Sequence, residues 1–486
     1  MKQDRTNLVS KKILLIYSLF LFLFSCKEKI KIVEHNNIAD NNISFELPGK
    51  RGEVTHHKKG KISPFEDSYL KLPDDFTGTS FSLKHDYPIM GSVKIPKTYP
   101  WKKVTNSGSI NSTNALDYVL ALKKHISVDM EKLLYDYDNW DSNKESWYQS
   151  IWLGSVREPI HGMYVGSGFP AKTLGETQEN NLTTYVYTLY DKTAAQTLNN
   201  IWGTDSKNAY KPNLTNEQNT QYKEGSIIVK FAFINYDNPK NNWNTLNNAA
   251  EWEVYTNVLP GEQSAKKGAI PSIRKLKLMQ FDIIVKDTEA SSETGWVFST
   301  LVYDKDAPGE TAWDKMIPLG ATWGNNPEYV KNISPSKALT DAIVPAPIND
   351  SLTENWINPK APSYAKQTLG WGGRLSGPND GAVFDTGALT TSTSGKKFTH
   401  GVSTISCLGC HSTAQYKQQS FLIPVVFPTP NGNGTPLVLD PGSTLWNRYF
   451  RNNNGTTPFD SGSIALDYDM VTSFKAIPAW QEATKK

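Results

Sequence analysis

Five consecutive residues, Cys407-Leu408-Gly409-Cys410-His411, fix what the rest of this chain has to organise around. Two thiols three positions apart can add to the two vinyl groups of one haem, and the adjacent histidine then reaches the iron as the proximal axial ligand. The competing readings are a chance CxxC beside a histidine and a three-ligand zinc site of the Cys2His type. Counting weighs against both, because the chain has three cysteines and spends two of them here. A structural zinc site also wants a fourth ligand at motif-like spacing, such as a second CxxC or an HxxxH pair, and the sequence offers neither. The expectation is one covalently attached haem c, with Cys407 and Cys410 binding the cofactor and His411 binding its iron.

The third cysteine sets the compartment. Lys2, Arg5, Lys11 and Lys12 precede an apolar run over residues 13–24 that is broken by Tyr17 and Ser18. That is the flank and length of a secretory signal, shorter than a membrane-spanning helix needs. The run closes on Leu23-Phe24-Ser25-Cys26, which resembles a bacterial lipobox, so residues 1–25 read as a lipoprotein signal peptide and Cys26 as the acylated residue. The competing reading is an ordinary signal that leaves Cys26 free. Each buried methylene of a lipid chain favours the membrane by about 0.8 kcal/mol, enough for an acylated Cys26 to hold a water-soluble body at a bilayer. Residues 26–62 are polar and read as a flexible tether. Lys27 in place of Asp resembles the sorting signal for the outer membrane, with the body facing either the periplasm or the cell surface. The two ends of the chain agree, since c-type haem is attached outside the cytoplasm.

A length of 486 residues allows two or three domains with substantial cores. Net charge is +3 with 20% charged residues, so no basic stripe argues for nucleic acid. Aromatic residues reach 11%, and Asn, Gly and Pro are frequent, which favours a β-rich, loop-rich protein over a helical bundle. The fold class read from the chain is α+β and β-rich, an antiparallel sheet or sandwich followed by a loop-rich C-terminal haem c region with short helices. Its divisions are a mixed helix and loop region at 63–180, a β-rich region at 181–355 and a cytochrome c-like region at 356–486.

Residues 114–140 read as a helix on Leu116, Val119, Leu120, Met130, Leu133, Leu134 and Tyr137, with an N-cap among residues 112–114. His125 sits beside Lys123 and Lys124 as a surface residue. Arg157-Glu158-Pro159-Ile160-His161-Gly162 is a turn that brings a cation, an anion and a histidine together, either as a site beside a charged cofactor or as a structural salt bridge. The best strand signals lie at 183–190, 226–236, 252–258, 276–286 and 296–303, where β-branched and aromatic residues partly alternate between Gly, Pro, Asn and Asp clusters. Residues 194–202 suit a short helix, and Trp323-Gly324-Asn325-Asn326-Pro327 has turn chemistry. Residues 387–397 read as an exposed loop and 421–427 as an apolar run, with short helices at 464–474 and 477–482.

Residues 157–162, 280–287 with Gly295-Trp296-Val297-Phe298, 323–327, 370–378 and 406–415 resemble a family of large bacterial single-CxxCH cytochrome-c-like proteins. The resemblance covers most of the chain after about residue 140 and implies covalent haem c and electron transfer, with no substrate. The chain departs from it by an insertion between Gly377-Pro378 and Cys407.

The sixth iron ligand decides the chemistry: a Met raises the potential, a His gives a lower one, and an open position admits a small ligand. The candidates are Met470, which lies 59 residues after His411, then His161, His400 or an open site. The second nitrogen of His411 needs an acceptor, and Pro424 stands about where small cytochromes c supply a carbonyl. Arg157, Arg374 and Arg448 are candidate partners for haem propionates, with fold-stabilising roles as the alternative. The leading function is a membrane-tethered monohaem c-type cytochrome that transfers electrons to or from a redox partner protein in the cell envelope. The alternatives are a haem peroxidase or small-molecule reductase, for which His161 with Arg157 offers the local His/Arg pair, and a haem-based sensor or binding lipoprotein.

Overall fold

The computed structural model describes residues 68–81, 84–151, 157–203, 211–236, 243–342, 344–384, 403–417, 425–426 and 437–483. The signal segment with Cys26, the tether, the loop at 387–397, His400 and Pro424 lie outside the described residues.

The centre is one antiparallel sheet of nine strands. They are β1 (Trp147–Tyr148), β2 (Tyr164–Phe169), β3 (Leu182–Asp191), β4 (Ile227–Asn235), β5 (Glu251–Thr256), β6 (Ser272–Lys286), β7 (Trp296–Tyr303), β8 (Met316–Thr322) and β9 (Asn355–Ile357). The hydrogen-bonded order is β1-β3-β4-β6-β7-β8-β9, with β2 also on β3 and β5 also on β6. Of the sheet and sandwich expected from sequence, the sheet forms. Strands from both sides of residue 181 share it, so the mixed region at 63–180 contributes β1 and β2 to the same layer.

Both faces of the sheet are covered, which is why β4 reads Ile227-Ile228-Val229-Lys230-Phe231-Ala232-Phe233-Ile234 with a single charge. On one face Tyr187, Leu189, Val229, Phe231, Phe233, Phe281 and Ile283 form an aromatic-rich core. The long helix Ala115–Tyr135 lies on it through Tyr118, Val119, Leu122, Ile126, Met130 and Leu133, a spacing of three and four residues that makes one stripe. Leu116 and Leu120, counted in the stripe from sequence, are 40% and 43% exposed. They stand on the other side of the helix from Tyr118 and Leu122, because two residues turn an α-helix through more than half a revolution. The hydroxyl of Tyr118 donates to Asp287 at 2.7 Å and ties the helix to the end of β6.

The opposite face is organised in rungs. Thr188, Lys230, Asp282, Thr300 and Gly320 are successive cross-strand partners through β3, β4, β6, β7 and β8. The next rung in the same sense is Tyr190, Ile228, Ile284, Phe298 and Thr322. The apolar members of this second rung join Leu408, Leu466, Tyr468, Met470 and the helix Lys192–Trp202 in a separate core. That helix begins where the Asp191 side chain accepts from the Ala194 N–H, and it ends at Gly203, whose φ of 68° continues the chain out of the helix.

After the sheet come a helix at Pro378–Phe384, the short motif helix Cys407–His411, and β10 (Gln415–Tyr416), which pairs with β13 (Ile464–Ala465). A small ribbon joins β11 (Val425–Val426) to β12 (Leu437–Val438). The segment read as a helix from residue 464 therefore starts as a strand. Its helical part is a π-turn at Val471–Ala476 running into Ile477–Ala483. β-Branched Ile464 is better used against Tyr416 than in a helix that its own neighbours Asp467 and Tyr468 break with φ of 43° and 69°.

Candidate functional site

The motif helix is set by the residue before it. Ser406 is extended (φ −150°, ψ 152°), and its hydroxyl oxygen accepts from the Gly409 N–H at 2.8 Å, a side-chain N-cap. The same hydroxyl donates to Asn325 Oδ1 at 2.9 Å. A Cβ on Gly409 would stand 2.7 Å from the Ser406 oxygen, so the cap needs glycine inside the motif. Asn325 is braced in turn: its side-chain amide donates to the Arg451 carbonyl, and its own carbonyl accepts from Arg374 Nε and Nη2 at 3.2 and 2.9 Å. The Cys407 N–H donates to the Leu375 carbonyl, and Leu408 is fully buried, so the helix is pinned on its protein side. Cys407 and Cys410 are partly exposed and form no disulfide.

Chemistry concentrates on His411. Its Nδ1 lies 2.7 Å from the Tyr468 carbonyl oxygen. A carbonyl only accepts, so the proton is on Nδ1 and the lone pair is on Nε2. Burial lowers the His411 pKa, which keeps the ring neutral and Nε2 unprotonated. Phe298 meets the ring edge-on at 4.7 Å and fixes its tilt. Tyr468 thus fills the role expected of Pro424.

Around the thiols the charged rung of the sheet supplies the electrostatics. Lys230 Nζ is 3.1 Å from carboxylate oxygens of both Asp282 and Asp380. Burial opposes its charge, yet Asp380 and Asp282 outweigh burial and hold its pKa above the ordinary lysine range. Asp282 also accepts from Thr300 at 2.7 Å and from the Gln280 amide, whose oxygen accepts from the Asn379 N–H. Burial pushes the Cys410 thiol up to about 12, with Asp380 adding to it, and Cys407 is raised by burial and then by Asp282 and Asp380. Among the described residues no group of three or more His, Cys, Asp or Glu side chains is arranged to hold a metal ion. A neutral imidazole with a free Nε2, on one helical turn with two unoxidised thiols, fits the donor set of covalent haem.

The candidate sixth ligands fare differently. The Met470 N–H donates to the same Tyr468 carbonyl that His411 Nδ1 uses, at 3.0 Å. The Met470 backbone therefore lies beside the carbonyl that holds the ring. His161 stacks on Trp252 at 4.2 Å, and Trp252 stacks on Phe233 on the aromatic face of the sheet, whereas His411 packs on Phe298 of the other face. The sheet separates the two histidines. Of the arginines, Arg374 gives its guanidinium to the carbonyls of Asn325 and Trp371 and packs over the Trp371 ring at 4.4 Å. Arg448 pairs with Asp460 and the Phe459 carbonyl, and Arg157 donates to the Ser150 carbonyl. All three have fold-stabilising partners. His125 is exposed on the long helix, as expected.

The loop of Arg157 to Gly162 carries a pH dependence of its own. Glu158 is fully buried and accepts from the N–H groups of Ile160, His161 and Met163; burial still raises its pKa to about 7. His161 donates from Nδ1 to the Glu253 carbonyl, and burial lowers its pKa to about 4. The unfolded chain binds a proton at His161 near pH 6.5 that the folded one refuses. Its contribution to stability is therefore present above pH 6.5 and lost as pH falls towards 4, by up to about 3 kcal/mol. Glu158 has the opposite slope, costing stability as pH rises from about 4.5 to 7, so only a difference between proteins isolates either group. Urea midpoints at pH 4.5 and 7 should show a smaller acid-side loss for His161→Phe than for wild type; equal losses would mean that His161 is not the titrating group.

Ser406, Asn325, Tyr468, Asp282 and Lys230 were not singled out by sequence reasoning. Asn325 had been read as turn chemistry, and that turn is what braces the motif. Asp467 and Asp469 flanking Tyr468 were a visible signal, two acids in an otherwise apolar C-terminal segment. In comparisons with known proteins, no family model, no curated protein and no solved structure matches the chain.

Proposed function

We propose that this chain is a membrane-tethered monohaem c-type cytochrome, akin to the large single-CxxCH proteins it resembles, that passes single electrons to or from a redox protein of the cell envelope. The observation that carries the reading is the His411 ring, held by the Tyr468 carbonyl at Nδ1 and free at Nε2, on the helical turn that also bears Cys407 and Cys410. Bound there, haem would supply an iron that alternates between ferric and ferrous. The chain's own part is to orient the ring through Tyr468 and Phe298, to hold the thiols through Ser406 and Asn325, and to offer a fixed charge balance at Lys230, Asp282 and Asp380. Among the described residues no helix is long and apolar enough to cross a membrane, so membrane attachment in this reading falls to Cys26.

A second reading, small-molecule chemistry at an open iron position, is favoured by the placement of His161 across the sheet from His411. The visible spectrum of the reduced protein, made in cells that mature c-type haem, separates the two. An electron carrier with a firm sixth ligand should give a low-spin spectrum that carbon monoxide leaves alone. A shifted spectrum transfers the proposal to the open-site reading, and a protein without haem absorption sinks both.

A further inference from the structure

The Tyr468 carbonyl is presented by unusual backbone. Asp467 and Tyr468 are consecutive non-glycine residues with φ of 43° and 69°, a left-handed pair that persists only where surrounding contacts over-determine it. Those contacts come from the two acids that flank Tyr468. Asp467 is buried, and one of its oxygens accepts from Lys286 Nζ at 2.7 Å and Trp296 Nε1 at 2.8 Å, while the other accepts from the Tyr222 N–H at 2.8 Å. Asp469 is buried too, accepting from the hydroxyls of Tyr190 and Tyr222 at 3.1 and 2.6 Å and from the Thr472 N–H and hydroxyl. Tyr222 grips both acids, one by its backbone and one by its side chain. The other donors stand on β3, β6, the start of β7 and, for Thr472, the helical turn that follows Met470. The Tyr468 hydroxyl adds a bond to the Asn453 carbonyl at 2.5 Å.

We propose that Asp467 and Asp469, clasped by Tyr222, are positioning residues that hold the Tyr468 carbonyl on His411 and so fix which imidazole nitrogen is free. This rests on reading His411 as the iron ligand. A carbonyl held on Nδ1–H makes the ring a stronger donor at Nε2, which favours the ferric state. Loosening the clasp therefore raises the reduction potential, and without haem it lets the proton redistribute between the two nitrogens.

The test uses the full-length chain labelled with 15N-histidine, with His411 assigned by loss of its signal in a substituted control. In wild type, long-range proton–nitrogen spectra should show His411 as the Nδ1-protonated tautomer. Asp469→Asn should populate the Nε2-protonated form, and Tyr222→Phe, which keeps the ring and the backbone donor to Asp467, should do so to a smaller extent with the fold intact by circular dichroism. On haem-loaded samples both variants should shift the midpoint upward, Asp469→Asn further. An unchanged tautomer and an unchanged midpoint in a folded Tyr222→Phe and Asp469→Asn overturn the inference. Haem absorption is read on the same samples: its absence counts against the electron-transfer reading, while the tautomer populations still decide this one.

Discussion

Cys407→Ser with Cys410→Ser is expected to yield a full-length protein whose haem stain vanishes on a denaturing gel, where wild type keeps it. Each thiol would add across one vinyl group, so each single variant should retain one thioether and a weaker, still denaturant-resistant stain. Serine is close in size to cysteine, and the helix does not depend on the sulfurs. Its start is held by the Ser406 hydroxyl, the Asn325 amide and the Leu375 carbonyl, all of which the substitutions leave in place. The protein should therefore stay folded while losing the covalent link. If wild type releases its haem to acidified acetone, or stains no better than the double variant, the attachment reading of Cys407 and Cys410 is wrong.

The second large effect is on stability. Asp467→Ala should lower the free energy of unfolding by about 3–5 kcal/mol, the cost of breaking a buried ion pair from one side. The Lys286 ammonium, whose side chain is 11% exposed, would lose its carboxylate, and the Trp296 N–H and Tyr222 N–H would lose their acceptor with it. A second variant separates charge from packing. Lys286→Met combined with Asp467→Leu removes both charges and should recover part of the loss, since an apolar pair of similar volume is often as stable as the ions it replaces. Urea midpoints of the three proteins measure this, and an Asp467→Ala midpoint equal to wild type would show that the pair carries no net stabilisation.

Five strands were legible in the sequence to within a few residues, because β4, β6 and β7 are covered on both faces and carry long β-branched and aromatic runs. β8 escaped because Met316-Ile317-Pro318-Leu319-Gly320 contains the two residues that ordinarily argue against a strand interior. Gly320 is there for space: a Cβ would come within 2.4 Å of the Trp356 carbonyl on β9. The Cys407–His411 motif stood out because it lies within five consecutive residues. Its supports did not, since Asn325 and Tyr468 reach the motif from 81 and 57 residues away along the chain. The left-handed backbone at Asp467 and Tyr468 has no compositional mark either, as neither residue is the glycine such a turn usually announces itself with. Met470 was drawn in by its distance along the chain from His411, and its backbone N–H shares the Tyr468 carbonyl with the His411 ring.

The rung of Thr188, Lys230, Asp282 and Thr300 also bears on how faithfully the sheet can assemble. Side chains alternate between faces, so a slip of one residue between β4 and β6 would carry Lys230 to the face of Phe281 and Trp252 and bring Phe231 or Val229 opposite Asp282. Such a mispaired sheet would bury two charges apart from each other, a far worse arrangement than any loss of hydrophobic contact alone. The same two residues that balance charge beside the thiols thus act as a notch in the zipper of β4 and β6, and only the correct tooth seats there.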